Sequence, residues 1–297
     1  MNVCSASRGV SRVFEFGVVA WITLIIAANF PFAAEPPTGT SIELFKDFVE
    51  NCVLIEPGKE NFPRQFPMGG QFVSPWALPQ RTAEISHPFR ISRFEMTQDL
   101  YTAIMGLNPS RWTGPRNSVE SMSFRDAQVF CARLTTKLRA AKLIANDEIV
   151  RLPTETEWEY CCRAGTDTLY SFGNSASLDS DPEGGTSILN EYAWHTGNAA
   201  GNDPAVGVLK PNPWGLYDMH GYLWEFVSDV AAADDAADLR PGNSDKADPN
   251  STQRIIRGGS WRDPAASLTC GSRRPISMLE SSDAIGFRCV ISQTTQP

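Results

Sequence analysis

The chain has 297 residues, a net charge of −8, 42% hydrophobic residues and 20% charged residues. This composition excludes an intrinsically disordered chain and allows one large globular domain. The acidic charge also argues against a nucleic-acid partner, because phosphate binding requires a basic face. Eight tryptophans, 22 glycines and 21 prolines indicate a loop-rich domain that is held together by aromatic packing.

The N-terminal segment has the pattern of a signal peptide. Arg8 and Arg12 precede an apolar run, Phe16–Ala28, which is short for a membrane-spanning helix of roughly 20 apolar residues. We therefore expect an extracytoplasmic protein, either periplasmic or secreted. Phe32 fits a small-residue cleavage site poorly, so the alternative is an uncleaved segment that anchors the protein in a membrane.

The chain is predicted to divide into a signal peptide or anchor at residues 1–34, a linker at 35–44 and one mixed domain at 45–292. No internal repeat and no second domain boundary is evident in the sequence. Short strands are predicted where apolar and β-branched residues cluster between turn signals. These strands lie at Val53–Ile55, within Ile85–Phe94, at Arg254–Arg257 and at Gly286–Ile291.

Three helices have readable start signals. The first is predicted to begin after Thr97 and to end at Gly106. Ser123, with Asp126 in the first turn, starts a longer helix whose apolar residues recur at spacings of three and four. The segment Thr154–Glu157 has the pattern of a capping box, which predicts the start of the third helix.

Six of the seven cysteines lie outside the N-terminal segment, an even number that permits disulfide bonds in an exported protein. Six cysteines can pair in 15 ways, and the sequence does not choose among them. Cys131 and Cys289 are expected to be buried thiols, because they lie on a predicted helix and a predicted core strand. The adjacent Cys161 and Cys162 do not form a C-x-x-C redox motif.

Several motifs between Val53 and Val290 resemble those of the formylglycine-generating enzyme (sulfatase-modifying factor) family, in the same order. They are N-P-S at Asn108–Ser110, R-L-P-T-E-T-E-W-E-Y at Arg151–Tyr160, G-L-Y-D-M-H-G at Gly215–Gly221, R-G-G-S-W at Arg257–Trp261 and G-F-R at Gly286–Arg288. The resemblance implies an α+β fold that is C-type-lectin-like, with a single compact domain and little regular secondary structure.

Active members of that family oxidise a sulfatase cysteine to formylglycine with oxygen and a copper ion held between two thiolates. Asp263 and Leu268 stand where those members have the two cysteines, and neither replaces a soft ligand for Cu(I). Cys270 is the nearest thiol, and its alternative role is that of a packed or disulfide-bonded residue. The resemblance therefore implies a copper-free protein that has lost the oxidase reaction. The alternative is an oxygen-dependent oxidase that modifies a sulfatase with thiols from elsewhere in the fold.

The resemblance also implies a pocket. Ser260 and Trp224 stand where residues of the oxidases line the substrate pocket, and Asp263 would make such a pocket acidic. A cationic or hydroxyl-bearing ligand would suit it, carried by a peptide, a glycan or a partner protein. The alternative is that this Gly-Gly-Ser-Trp turn serves to pack Trp261 and to satisfy backbone groups.

A structural calcium site is the last implication of the resemblance. The family's ligands correspond to the side chains of Asp218 and Glu225 and the carbonyl groups of Gly221 and Leu223. Calcium prefers oxygen ligands of this kind, and a tight turn with glycine lets alternate carbonyls face one ion. The alternative is a turn whose acids face solvent or cap the backbone. A second calcium site would use Asn198, although its loop is shortened here.

Overall fold

The structure is a computed structural model that describes residues 39–70, 78–200, 202–231 and 252–294. The predicted signal peptide or anchor lies outside the described residues, and so does the first part of the predicted linker. Within the described ranges, none of the helices combines the length and apolarity that crossing a bilayer requires. The predicted α+β architecture is confirmed, with short helices and three small sheets joined by long loops.

The described residues form four α-helices. They are α1 (Gly39–Glu50), α2 (Gln98–Met105), α3 (Phe124–Ala140) and α4 (Glu155–Arg163). The predicted starts of the last three are confirmed, with Thr97, Ser123 and Thr154 at the N-cap positions. Both α3 and α4 begin with a complete capping box, in which the cap hydroxyl and an acid three residues later satisfy backbone N–H groups reciprocally.

Helix α1 begins at Gly39, inside the segment 35–44 that was predicted as a linker, so ordered structure starts earlier than the sequence patterns indicated. The polar and proline-rich residues before it gave the segment its linker character. Ile42, Phe45 and Phe48 then recur at a spacing of three, and they pack against the core below α2 and α3. Burial of this apolar stripe explains why the helix forms.

The strands are β1 (Cys52–Ile55), β2 (Gln65–Met68), β3 (Arg81–Glu84), β4 (Phe89–Ser92), β5 (Glu148–Arg151), β6 (Trp224–Val230), β7 (Gln253–Arg257), β8 (Arg273–Ser277), β9 (Ile285–Gly286) and β10 (Val290–Gln293). One four-stranded sheet has the order β1-β4-β10-β5, another has the order β8-β7-β6-β9, and β2 pairs with β3. All pairings are antiparallel except β6 with β9.

The predicted strand Gly286–Ile291 is wrong as a single element. Its residues divide between β9 and β10, which belong to different sheets, and the segment 287–289 carries the chain from one sheet to the other. Arg288 lies in this crossing, is fully buried, and pairs with Glu225 on β6. The buried ion pair therefore links the two four-stranded sheets.

Helix α4 carries three buried glutamates, each paired with at least one arginine. Glu155 bonds to Arg273 Nε at 2.7 Å and Glu159 to Arg257 Nη2 at 2.5 Å, while Glu157 pairs with Arg151 at 2.7 Å. Arg163 is a further partner of Glu159, at 2.8 Å. We call these groups the α4 network: Glu155, Glu157, Glu159, Arg151, Arg163, Arg257 and Arg273.

Candidate functional site

The turn that follows β7 holds the residues predicted to line a pocket. Gly258 and Gly259 have φ values of +98° and +79°, in the left-handed region that favours glycine. A Cβ atom at Gly259 would also lie 2.2 Å from the Leu268 Cδ2 atom, so the close packing of Leu268 requires a glycine there. The turn ends at Ser260, whose side chain is 1% exposed.

Asp263 folds back onto this turn. Its Oδ2 atom accepts hydrogen bonds from the Ser260 main-chain N–H at 3.0 Å, from the Ser260 hydroxyl at 2.5 Å and from Trp224 Nε1 at 2.8 Å. The structure therefore brings the three predicted residues together, but into a closed hydrogen-bonded cluster. A carboxylate three residues after a serine can reach the serine's backbone in this way, which makes Asp263 a stabiliser of the turn.

Leu268, which the resemblance sets at the second predicted thiolate position, is completely buried. It packs in a small apolar cluster with Tyr170, Leu189 and Ala193. This packing replaces a ligand position with a hydrophobic contact.

Cys270 lies in a buried group that the sequence patterns did not predict. The ligand atoms of Cys162, His220 and Cys270 all lie within 4.8 Å of one another, and both thiols are fully buried. His220 Nδ1 is 2.9 Å from the Leu268 carbonyl oxygen, which can only accept, so Nδ1 carries the hydrogen. Its Nε2 atom accepts the Ser171 N–H at 3.1 Å. Burial lowers the pKa of His220 to about 4 and raises the pKa of the Cys162 thiol well above its usual value.

This sulfur–imidazole group has no open face. Both ring nitrogens of His220 are already hydrogen-bonded, and His220 is 2% exposed. A substrate cysteine and oxygen would have to reach thiols that have no solvent contact. Both sulfurs are therefore shielded from solvent.

The predicted calcium residues belong to a buried cluster of acids around one arginine. We call it the acid cluster: Glu95, Asp218, Glu225 and Arg288, each at most 3% exposed. Glu225 bonds to Arg288 through both carboxylate oxygens, each at 2.7 Å, and it also accepts Trp158 Nε1 at 2.8 Å. Among the described residues, Asp218 accepts one hydrogen bond, from the Gly207 N–H at 2.8 Å, and Glu95 accepts the Leu223 N–H at 3.2 Å.

Two oxygen atoms in the acid cluster lack a partner. Asp218 Oδ1 and Glu95 Oε2 are buried, and no group in the described part of the chain donates a hydrogen bond to either. Burial, together with the nearby Glu225, raises the pKa of Asp218 to about 6 and raises the pKa of Glu95 as well. Three carboxyl groups with one guanidinium and two unpartnered oxygens fit a site for a cation.

The backbone of the turn before β6 is strained in a way that is typical of ligand sites. Asp218 and Tyr222 have φ values of +59° and +71°, which non-glycine residues adopt only at a cost. Gly221 has a φ of +150°, and a Cβ atom there would lie 2.5 Å from the Trp194 carbonyl oxygen. Gly221 and Leu223, whose carbonyl groups are predicted calcium ligands, flank Tyr222 in this turn. In the sequence they lie between Asp218 and Glu225 of the acid cluster.

Asn198, the residue of the second predicted calcium site, holds a turn together. Its Oδ1 atom accepts the His195 N–H at 2.8 Å, and its amide donates to the Ala193 carbonyl at 2.9 Å. The Ala199 carbonyl accepts the Asn202 N–H at 2.9 Å. These groups serve the loop itself.

A cavity of about 200 Å³ opens beside Trp261, which follows the glycine turn after β7. Its lining among the described residues includes Trp261 but not Ser260, Trp224, Asp263 or Cys270. It shares Tyr222 and Leu223 with the turn that borders the acid cluster. The open space in this region is therefore displaced from the residues that the sequence predicted to line it.

A family model described as the sulfatase-modifying factor enzyme 1-like domain matches residues 42–293. The chain is 28% identical over 267 residues to the formylglycine-generating enzyme of Bos taurus, covering 84% of this chain and 59% of that protein. It is also 27% identical over 219 residues to the chaperone protein LppX of Paenibacillus barcinonensis, covering 58% of this chain and 69% of LppX. The mouse protein named inactive C-alpha-formylglycine-generating enzyme 2 is 29% identical over 155 residues, which are 48% of this chain and 43% of that protein.

Two solved structures have a similar fold. Treponema denticola variable protein 1 superposes with a TM-score of 0.63 at 26% identity, covering 80% of this chain and 94% of its own. PvdO from Pseudomonas aeruginosa also gives a TM-score of 0.63, at 24% identity, with 81% and 94% covered. The predicted C-type-lectin-like fold is confirmed by these likenesses. The relatives include proteins named as enzymes and a protein named as inactive.

Proposed function

This chain belongs to the sulfatase-modifying factor enzyme 1-like family, and we propose that it is a non-catalytic, extracytoplasmic binding protein whose loops are fixed by calcium. The observation that carries the proposal is the state of the two thiolate positions. Asp263 is bonded to Ser260 and Trp224, and Leu268 is buried in apolar contacts. Two soft ligands that face a substrate are what Cu(I) chemistry needs, and neither position offers one.

The proposed calcium site uses the unpartnered oxygens of Asp218 and Glu95, the remaining acceptor capacity of Glu225 and the carbonyl groups of Gly221 and Leu223. A bound calcium ion would supply positive charge to a cluster in which three carboxyl groups share one arginine. It would also hold the strained turn at residues 218–223, which forms one wall of the cavity. In this proposal the chain supplies the oxygen ligands of the calcium ion and the turn at residues 218–223 that carries several of them.

The oxidase alternative, in which a sulfatase is the partner, is tested directly. The purified protein is incubated with a sulfatase-type cysteine peptide, Cu(I) and oxygen, and the peptide is analysed for the aldehyde by mass spectrometry. We expect no formylglycine, while an active formylglycine-generating enzyme in a parallel reaction converts the same peptide. Turnover by this chain that is abolished by Cys270→Ser would overturn the non-catalytic proposal.

Export has a chemical consequence for the cysteines. The Cys131 and Cys289 sulfurs lie 3.7 Å apart, and Cys162 lies within 4.8 Å of Cys270. All four are buried free thiols in the structure, as expected for Cys131 and Cys289, but small shifts would bring either pair to disulfide geometry in an oxidising compartment. Protein isolated from the periplasm or medium should be lighter than its reduced form by roughly 4 Da, because the formation of two disulfides removes four hydrogen atoms. Four thiols at these positions that can be alkylated after the exported protein is denatured without reductant would count against the proposed location.

A further inference from the structure

The cavity beside the turn has walls of two chemical kinds. Trp112, Trp194, Trp261 and Tyr222 provide aromatic surface, and acidic side chains lie between them. Its volume of about 200 Å³ is below the range of drug-sized pockets and suits one long side chain or a small molecule. Trp112 is 46% exposed, so the cavity lies next to a solvent-accessible aromatic ring.

The charges of the acidic lining are only partly balanced. Asp283 pairs with Arg262 at 2.5 Å and with Arg111 at 3.2 Å. Asp203, in contrast, accepts only neutral donors from Asn117, with 2.5 Å between Asn117 Nδ2 and Asp203 Oδ2. Glu120 accepts the main-chain N–H groups of residues 111 and 112 and the hydroxyl of residue 121. Within the described ranges neither Asp203 nor Glu120 forms an ion pair, and burial raises the pKa of both carboxyl groups.

The aromatic walls attract cations, as the molecule's own arginines show. Arg262 Cζ lies 4.6 Å from the ring centroid of Trp261, and Arg111 Cζ lies 4.8 Å from that of Trp112. Both arginines are already paired with Asp283. A ligand cation would therefore find indole rings beside two carboxylates that have no cationic partner of their own.

Two further polar groups of the lining are unsatisfied. Trp194 Nε1 is buried and donates to no group in the described part of the chain. The Ser118 hydroxyl is also buried and lies beside the Glu95 carboxylate without a hydrogen bond of ordinary length. An indole N–H can only donate, so a ligand that satisfies it carries an acceptor such as a carbonyl oxygen.

We propose that this cavity binds a basic side chain, the ammonium group of lysine or the guanidinium group of arginine, presented by a peptide. The cation pairs with Asp203 and Glu120 against the tryptophan rings, and a peptide carbonyl accepts the Trp194 N–H. An anionic ligand would meet two unpaired carboxylates. A neutral sugar could stack on tryptophan, but it would leave both carboxylates without a counter-charge. The inference rests on the proposed function as a binding protein and names the chemistry of its ligand.

Binding is measured by isothermal titration calorimetry with the whole domain in calcium-containing buffer. The probes are a short peptide with a central lysine, the same peptide with arginine, a matched peptide with norleucine, free n-butylammonium and glucose. We expect the lysine and arginine peptides to bind at least about tenfold more tightly than the norleucine peptide. Weaker binding of n-butylammonium would show that the peptide carbonyl contributes, whereas equal binding would reassign the site to free amines and overturn the peptide part of the proposal.

The variants are Asp203→Asn and Glu120→Gln, which keep the side-chain shape while removing the charge and replacing one acceptor oxygen by a donor NH2 group. Each should weaken binding of the lysine peptide by about tenfold. Trp194→Phe should also weaken binding, but it should leave the preference for the lysine peptide over the norleucine peptide unchanged. The control is Glu183→Gln, since Glu183 is exposed and outside the cavity lining. Circular dichroism establishes that each variant is folded. Binding of glucose, or equal binding of the norleucine and lysine peptides, would overturn the proposal.

The same protein sample is also tested for formylglycine formation. A sample that makes no aldehyde and binds no basic peptide leaves the non-catalytic role standing and removes only the cavity inference. A sample that makes aldehyde removes the proposed function, whatever the cavity binds. The two failures are therefore separable.

Discussion

Two buried groups of acidic side chains in this molecule differ in how their charges are balanced. In the α4 network, the three glutamates Glu155, Glu157 and Glu159 share four arginines. In the acid cluster, three carboxyl groups share Arg288 as their one cation among the described residues, and two of their oxygens have no partner there. The acidic residues of both groups are at most 7% exposed. Charge balance, and not burial, therefore separates a structural ion-pair network from a site that fits a cation.

The largest effect on stability is expected for a substitution in the α4 network, whose charges are balanced. Arg257→Met removes the cation that pairs with Glu155 and Glu159, both of which stay buried. Glu155 keeps Arg273 and Glu159 keeps Arg163, but removing one partner from two buried ion pairs should still lower the free energy of unfolding by about 3–5 kcal/mol, as measured by urea denaturation. Arg125→Met is the control at an exposed position and should change stability little. A loss below about 1 kcal/mol for Arg257→Met would mean that the network is not stabilising.

A smaller effect of the same sign is expected for Glu157→Gln, and it should depend on pH. Burial alone would raise the pKa of Glu157, but its hydrogen bonds with Arg151 and His87 dominate and lower the pKa from 4.5 to about 2. A carboxyl group with a depressed folded pKa stabilises the protein above its unfolded pKa, and this stabilisation is lost as the pH falls through the folded value. The wild type should exceed the variant by about 3 kcal/mol at pH 7, and the gap should close between pH 4.5 and pH 2. A gap that does not vary with pH would contradict this assignment.

The third prediction concerns the acid cluster, whose charges are not balanced. Replacing one of its acids by the amide of the same shape should stabilise the protein, the opposite of the effect in the α4 network. In the presence of a chelator, Asp218→Asn and Glu95→Gln should raise Tm, because each removes a charge that the cluster does not balance. Calcium at a hundred times its Kd should stabilise the wild type by about 2.7 kcal/mol and stabilise either variant much less. Differential scanning calorimetry with calcium, magnesium or chelator measures this, with Glu183→Gln as the matched control. Equal calcium shifts in the wild type and both variants would remove the acid cluster as the calcium site.

Local signals in the sequence predicted α2, α3 and α4, because the causes of these helices are local, but they missed α1. The capping boxes at Ser123 and Thr154 and the apolar stripe of α3 each lie within one element. The division between β9 and β10 was not predictable in this way, since the residues around Phe287 read as one continuous apolar strand. Only the burial of Arg288 against Glu225, 63 residues away in sequence, shows why the chain leaves one sheet there.

The candidate site shows the same limit. The family resemblance led to Asp218, Glu225, Ser260, Trp224 and Asp263, and the structure brings the last three into contact. The family resemblance could not identify Glu95, which accepts a hydrogen bond from Leu223, 128 residues away in sequence, and shares no motif with it. Nor did it place the thiol of Cys270 beside Cys162 and His220. Each of these juxtapositions depends on tertiary packing, which one sequence does not specify by periodicity or spacing.

The contact between Leu268 and Gly259 has a consequence for how a pair of thiolates could be introduced at positions 263 and 268. Replacing Leu268 by cysteine would remove methyl groups from a filled contact and cost about 2 kcal/mol or more, without producing a metal ligand pair. Replacing Asp263 by cysteine would break three hydrogen bonds, again without benefit on its own. Each single replacement is disfavoured and only the pair would supply two thiolates, so packing and hydrogen bonding oppose a stepwise introduction of the pair.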